Sequence, residues 1–291
     1  MKIVEYSISI GLIMGVFLFV SYLLTAFGFC QFKEFTRSDL KRRAWFHLKP
    51  VYWAGFAVST VSYLIPQLLS MIIFSDIKQV FYILIPDVSG MKIEQINSAY
   101  TTFFQDLFQQ LTTSWFLIDC LLWILCSIFI INIIKVGEHC FYIRCKDGTS
   151  VFGNLFHGFT CGSYKNVFIT LVMRDLIVLL HFLLFIIPGI IKLYQYYMVD
   201  YIIAEYPEMQ WKEVLRRSKT MMRGNKWPTF LFLLSFTGWI VLGLGVSFVG
   251  LEFVTQELLY VSLQGIGIIF VFPYIEASFA TLYERLKENC E

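Results

Sequence analysis

From Ile8 to Phe29 the chain runs without a charged residue, and about 20 apolar residues suffice to cross a hydrocarbon core roughly 30 Å thick. Further predominantly apolar stretches, several with one to three charged residues, recur at 51–74, 115–134, 167–187, 190–206, 228–250 and 259–283. A backbone placed in lipid must satisfy its own polar groups, so such stretches have to form helices. The chain is 57% hydrophobic, 18% aromatic and only 15% charged. Ordinary soluble domains are about 25% charged. The expected fold is therefore an all-α, polytopic transmembrane helical bundle of about seven spans, with one N-terminal span in residues 1–30 and a six-span core in 31–291.

The net charge of +2 says little; its distribution between loops says more, because Lys and Arg favour the cytoplasmic side. Lys33, Arg37, Lys41, Arg42, Arg43 and Lys49 follow the first span, and Lys135, Arg144, Lys146 and Lys165 follow the third. This predicts an N-terminus outside, residues 31–49, 136–165 and 207–227 inside, a large outer segment over 75–112 with a surface helix near 94–111, and a cytoplasmic C-terminus. Ser38 and Asp39 are candidate caps for a short helix that leads to Pro50, and Pro66 is expected to kink the second span. Seven cysteines without regular spacing are expected to be free thiols. Gly11 and Gly15 allow close helix packing in the first span.

The stretch 185–239 is the most structured part of the sequence. Pro188–Gly189 interrupts an apolar run and is expected to turn the chain. Lys212, Arg216, Arg217, Lys219, Arg223 and Lys226 then cluster within fifteen residues. Val214, Leu215, Ser218, Met221 and Met222 recur on another helical face. That pattern predicts an amphipathic helix lying on an anionic leaflet, capped at its end by Gly224 and followed by Pro228 in the first turn of the next helix. Lipid is the simpler partner for these cations; nucleic acid is not expected.

Four blocks stand in a distinctive order: FTRSDLKRRAWFHLKPVYW at 35–53, PGIIKLYQYYMVDYIIAEYPEMQWKEVLRRSKTMMRGNKW at 188–227, LSFTGW at 234–239 and FPYIEASFATLYERL at 272–286. Together they resemble the bacterial integral-membrane family catalogued as domain of unknown function 975. The resemblance covers about 35–286, so the first span reads as an addition to the family pattern. It implies a six-span core in the bacterial cytoplasmic membrane and no established activity.

Ionisable groups at membrane depth cost about 2.5–3.5 kcal/mol each on insertion scales, which makes them the sharpest functional signal here. Arg174, Asp175, Lys192, Asp200 and Glu276 form the candidate intramembrane polar site, with Asp119 and His181 as further buried-depth groups. Arg174 and Asp175 are neighbours that point apart on a helix, so each is expected to need another partner. The bland reading has Arg174 snorkelling, Lys192 and Asp119 near the outer surface, and Asp200 and Glu276 closing interhelical bonds. The functional reading is a solute or proton path. The short fifth span is expected to be enclosed, with Asp200 facing Arg174 or a tyrosine.

His139, Cys140, Cys145, His157 and Cys161 fall in one expected cytoplasmic loop, but their spacing is not a strong metal signature. No phosphate-cradling loop, nucleophile elbow or HExxH helix occurs, so neither an enzyme nor a cofactor is expected. The expected role is non-enzymatic and envelope-related: membrane organisation, scaffolding of other membrane proteins, or protection against membrane-active peptides. The alternative is a small-solute or lipid transporter that uses the Pro188–Gly189 break.

Overall fold

The computed structural model of the chain describes residues 35–74, 98, 100–102, 105, 109, 114–242 and 269–290, and every regular element among them is helical. The first apolar stretch with Gly11 and Gly15, most of 75–113 and residues 243–268, where the expected sixth and seventh spans meet, lie outside the described residues. Within 94–111, Ser98, Tyr100, Thr101, Thr102, Gln105 and Gln109 are helical, as expected. The chain forms two compact units, residues 63–132 and the remainder.

In the larger unit, α1 spans Arg37–Leu48 and is capped by Thr36, whose side chain accepts from the Asp39 amide, rather than by Ser38. A 3-10 turn over Lys49–Val51 takes up Pro50 and leads directly into α2, Tyr52–Ile73. Pro66 lies inside α2, and the helix runs through it. After the smaller unit come α4 (Asn132–Arg144), a 3-10 turn (Phe152–Phe156), the single turn α5 (His157–Thr160) and α6 (Tyr164–Leu184). Next are α7 (Ile186–Gln195), α8 (Val199–Glu205), α9 (Trp211–Met221), α10 (Lys226–Leu234) and α11 (Phe272–Glu288). The smaller unit contains the end of α2, α3 (Ser114–Cys126) and a π-turn over Ser127–Ile131. There Phe74 and Trp123 meet at 5.9 Å between ring centres, and most of the leucines of α3 face outward.

Two helices are buried on nearly every side and organise the larger unit. α11 buries Ile275, Phe279, Leu282, Tyr283 and Leu286, and α1 lies along it with Leu40, Ala44 and Leu48 inward. α8 buries Val199, Tyr201, Ile202, Ile203 and Ala204, and Tyr201 stacks on Tyr283 with ring centres 5.5 Å apart. Phe279 packs edge-on to Phe232 of α10 and against Tyr197.

The chain reverses at Phe185, which is extended, and not at Pro188–Gly189. Pro188 instead sits in the first turn of α7, where its missing amide hydrogen costs nothing. Gly189 serves close packing: a Cβ there would lie 2.4 Å from the Phe182 ring, which lets α7 fold back along α6. The fifth span is also not one helix, since Tyr196–Met198 separates α7 from α8. Enclosure holds for α8 only; Ile187, Ile190, Ile191 and Leu193 of α7 are exposed.

α9 corrects a second expectation. Val214, Leu215, Ser218, Met221 and Met222 are all buried against the protein, with Ser218 Oγ donating to the Gln195 carbonyl at 3.0 Å. The apolar face is thus used in the core and is not laid on lipid. Lys212, Arg216, Lys219 and Arg223 remain exposed, Lys226 is half-buried, and Arg217 covers the Tyr206 ring at 5.1 Å. The helix ends at Met221 with Met222 as its C-cap, not at Gly224; Gly224, at φ +83°, turns the chain two residues further on, in a region that favours glycine. The Pro207 turn is pinned to α6 by Asn166 Nδ2, which donates to the carbonyls of Pro207 and Met209 at 2.7 and 2.6 Å.

The helix after the third apolar stretch continues to Arg144, ten residues past the expected span end. His139 and Cys140 are therefore buried helical residues and not loop residues. Cys120, Cys126, Cys140, Cys145, Cys161 and Cys290 are free thiols.

Candidate functional site

The extension of α4 carries polar groups inward at helical spacing. Lys135 and Glu138 are one turn apart and bond at 2.7 Å, while Glu138 is 1% exposed. Its carboxylate also accepts from Ser59 Oγ at 2.9 Å and Ser62 Oγ at 2.6 Å, two α2 hydroxyls that share a face because they too are three residues apart. Tyr142 completes the cluster by donating to the Gly55 carbonyl at 3.0 Å and meeting Ser59 Oγ at 2.7 Å. A buried carboxylate is tolerated only when its lone pairs find donors, and Glu138 has three.

One turn on, His139 stacks on Tyr201 at 4.1 Å between ring centres, and its Nε2 lies 3.5 Å from Glu276 on α11. Lys135 Nζ is 3.8 Å from the same carboxylate. On the other side, Arg174 of α6 donates to Asp200 of α8 and, through Nε and a terminal nitrogen, to Asp175 at 2.8 and 2.7 Å. The Asp200–Arg174 bond is one of the two pairings expected for Asp200. The pairing of Arg174 with its neighbour Asp175 is not: the long guanidinium bends back far enough to overcome the divergent directions of adjacent side chains.

These groups surround one cavity of about 360 Å³. Lys135, His139, Arg174, Asp175, Asp200 and Glu276 supply its charge, and Tyr196, Tyr197 and Tyr201 supply aromatic faces. Tyr196 and Tyr197 come from the break between α7 and α8, so the discontinuity that lines the cavity lies beyond Pro188–Gly189, at the other end of α7. Of the candidate intramembrane residues, Arg174, Asp175, Asp200 and Glu276 converge here. Lys192 sits over the Tyr196 ring at 5.8 Å but is not in the lining, His181 bonds back to the Ile177 carbonyl, and Asp119 belongs to the smaller unit.

Lys135, Glu138 and His139 escape a reading of the sequence in which loop cations end the span at Ile134. The signal that finds them is the matched spacing of Ser59 with Ser62 and of Lys135 with Glu138. Among the described residues no group of three His, Cys, Asp or Glu side chains is placed to hold a metal. Burial pushes the Cys145 thiol up to about 11, which disfavours the thiolate that zinc requires.

A second ionic cluster closes the far end of α8. Glu205 accepts from Tyr283 and Lys287, each at 2.6 Å, and Lys287 also covers the Tyr206 ring.

Fold and site together define an all-helical protein in which Arg37–Ile73, Phe116–Arg144 and Tyr164–Leu184 are long and apolar enough to cross a membrane, with ionisable side chains gathered around a half-open cavity. The chain belongs to the family described as "Protein of unknown function (DUF975)", whose profile matches residues 9–290. That match begins inside the first apolar stretch, which is therefore part of the family pattern and not an addition to it. No curated protein and no solved structure matches the chain.

Proposed function

We propose that the protein is a seven-span, non-enzymatic protein of the bacterial cytoplasmic membrane, N-terminus outside and C-terminus inside, whose half-open polar cavity binds a small polar solute and passes it across the bilayer. The observation that carries this reading is the convergence of six ionisable side chains from α4, α6, α8 and α11 on one cavity of about 360 Å³. A scaffold needs its membrane-depth charges only paired; it has no use for an open space between the pairs. Discontinuous helices are a recurrent way to present polar groups to a solute at membrane depth, and the α7–α8 break has that form. On this reading the exposed cations of α9 act as determinants of orientation on the cytoplasmic side.

The solute need not be identified in advance for the test. Proteoliposomes loaded with an isotopically labelled extract of polar metabolites are diluted into unlabelled extract, and the external medium is followed by mass spectrometry. At least one metabolite should leave faster through the native protein than through Asp200→Asn, whose melting temperature should be only slightly lower. Efflux identical to protein-free liposomes for every metabolite would refute the reading.

A further inference from the structure

Three helix ends from separate stretches of the chain meet on the larger unit. Near the end of α9, Ser218 Oγ donates to the carbonyl of Gln195, the last residue of α7. Tyr194 of α7 packs edge-on to Phe230 of α10, with ring centres 6.0 Å apart. Each end carries a lysine: Lys192 on α7, Lys219 on α9 and Lys226 at the start of α10. Burial and the like charges of Lys192 and Lys219 hold the Lys226 ammonium below its ordinary value, so both neighbours stand near enough to repel it. Among the described residues none of the three has a carboxylate partner. Lys135, Arg174 and Lys287, by contrast, each hold one. Like charges gathered without a counter-charge repel, and an anion bound between them removes that cost.

The surroundings narrow the kind of anion. Trp227, next to Lys226, is 46% exposed and packs on Phe230 at 5.1 Å. Tryptophan at the edge of an apolar surface favours the head-group level of a bilayer. Ile187, Ile190 and Ile191 share a helical face with Tyr194, and all three isoleucines are exposed. α7 thus presents an aliphatic strip that runs into the lysine cluster. A soluble phosphate or an acidic peptide would use the cations and leave the strip bare, whereas a phospholipid matches both parts at once. Basic pockets between membrane helices hold anionic head groups in this manner. A zwitterionic lipid brings an ammonium group that the lysines repel.

We propose that Lys192, Lys219 and Lys226 hold the head group of an anionic phospholipid, with an acyl chain along Ile187, Ile190 and Ile191 and with Trp227 beside the glycerol. The proposal rests on the placement of the chain in a membrane and not on the solute reading of the cavity. It also gives α9 a different contact with lipid from the one its amphipathic pattern suggests: the apolar face packs in the protein, and a cation at its end meets the head group.

The full chain, stripped of lipid in mild detergent, is titrated with phosphatidylglycerol, with phosphatidylcholine of the same chains and with glycerol 3-phosphate, and bound molecules are counted by native mass spectrometry. Phosphatidylglycerol should bind saturably and at least tenfold more tightly than either counterpart. Lys192→Gln, Lys219→Gln and Lys226→Gln should each weaken that binding about fivefold, while Lys165→Gln, an exposed cation at the start of α6, leaves it unchanged. Melting temperature identifies any variant that is unfolded. A second measurement needs no lysine variant: phosphatidylglycerol with brominated chains should quench the fluorescence that the native protein has and Trp227→Phe lacks, and brominated phosphatidylcholine should quench it less. Equal binding of the two lipids, or a loss in Lys165→Gln as large as in the three site variants, would reduce the contact to diffuse charge and overturn the proposal. Glycerol 3-phosphate bound as tightly as the lipid would overturn it in favour of a soluble phosphate. Loss of efflux with lipid binding intact, or the reverse, separates this site from the cavity.

Discussion

Asp200 is held where two helices meet, with Arg174 its partner across the gap and Asp175 sharing the same guanidinium. Removing one member of a buried pair strands the other, at a cost of about 3–5 kcal/mol, whereas an isosteric amide keeps a hydrogen bond. Asp200→Leu should therefore lower the melting temperature markedly in detergent, and Asp200→Asn only slightly. Equal losses would show that charge, not hydrogen bonding, holds α8 to α6. Near the C-terminal end of α11, burial pushes Glu284 up to about 7 from an ordinary 4.5. Lys146 opposes this only weakly, because it is 3.7 Å away and about half exposed. The unfolded carboxylate ionises near its ordinary value, so the stability tied to its protonated form is full below about 4.5 and lost as pH rises through about 7. Glu284→Gln should accordingly raise the melting temperature at pH 8 and have little effect at pH 4.5. A loss at pH 8 would mean that the Lys146 pair outweighs burial. At this scale depth alone marked Asp200 as needing a buried donor, with Arg174 one of two candidates. Glu138 was not, since a carboxylate followed by loop cations reads as exposed until Ser59 and Ser62 are seen to face it.

The elements owe their fit to a few close approaches. Gly137, the residue before Glu138, faces the 3-10 turn at Phe152–Phe156 so closely that a Cβ would stand 1.8 Å from the Leu155 carbonyl oxygen. Gly158 does the same from the other side, with its Cβ position 2.8 Å from the Ile133 oxygen. Gly→Ala inside a helix normally gains about 1 kcal/mol, but here backbone must move, and overpacking costs typically about 1–3 kcal/mol or more. Gly137→Ala should therefore destabilise, with the drop in melting temperature checked against a Gly153→Ala control, whose site is open. An unchanged or raised melting temperature in Gly137→Ala would remove this contact from the account. The helix positions themselves were largely readable from apolar runs. Their joins were not: Phe185, the Tyr196–Met198 break and the π-turn at Ser127–Ile131 carry no proline or glycine to mark them in the sequence. The amphipathic pattern of α9 was equally readable, but periodicity marks only that one face is buried, not whether protein or lipid covers it.

For the whole molecule, the central claim is that a polar, water-reachable cavity lies among helices whose outer faces are apolar. On α6 the contrast is available along a single helix: Val178 lines the cavity, while Leu183 is 74% exposed on the outside. A thiol facing lipid does not ionise and does not react with a charged reagent; a thiol in a wet cavity does. Single cysteines are placed in a background with all seven native cysteines replaced, reconstituted in liposomes and treated with a charged, membrane-impermeant methanethiosulfonate on both sides. Ser98→Cys and Thr220→Cys report the outer and inner faces; Thr220 is chosen because its neighbour Ser218 is buried. The account predicts reaction at Val178→Cys and none at Leu183→Cys, with Ser98→Cys and Thr220→Cys reacting from opposite sides. A Val178→Cys as inert as Leu183→Cys, in a protein whose surface reporters react normally, would contradict it.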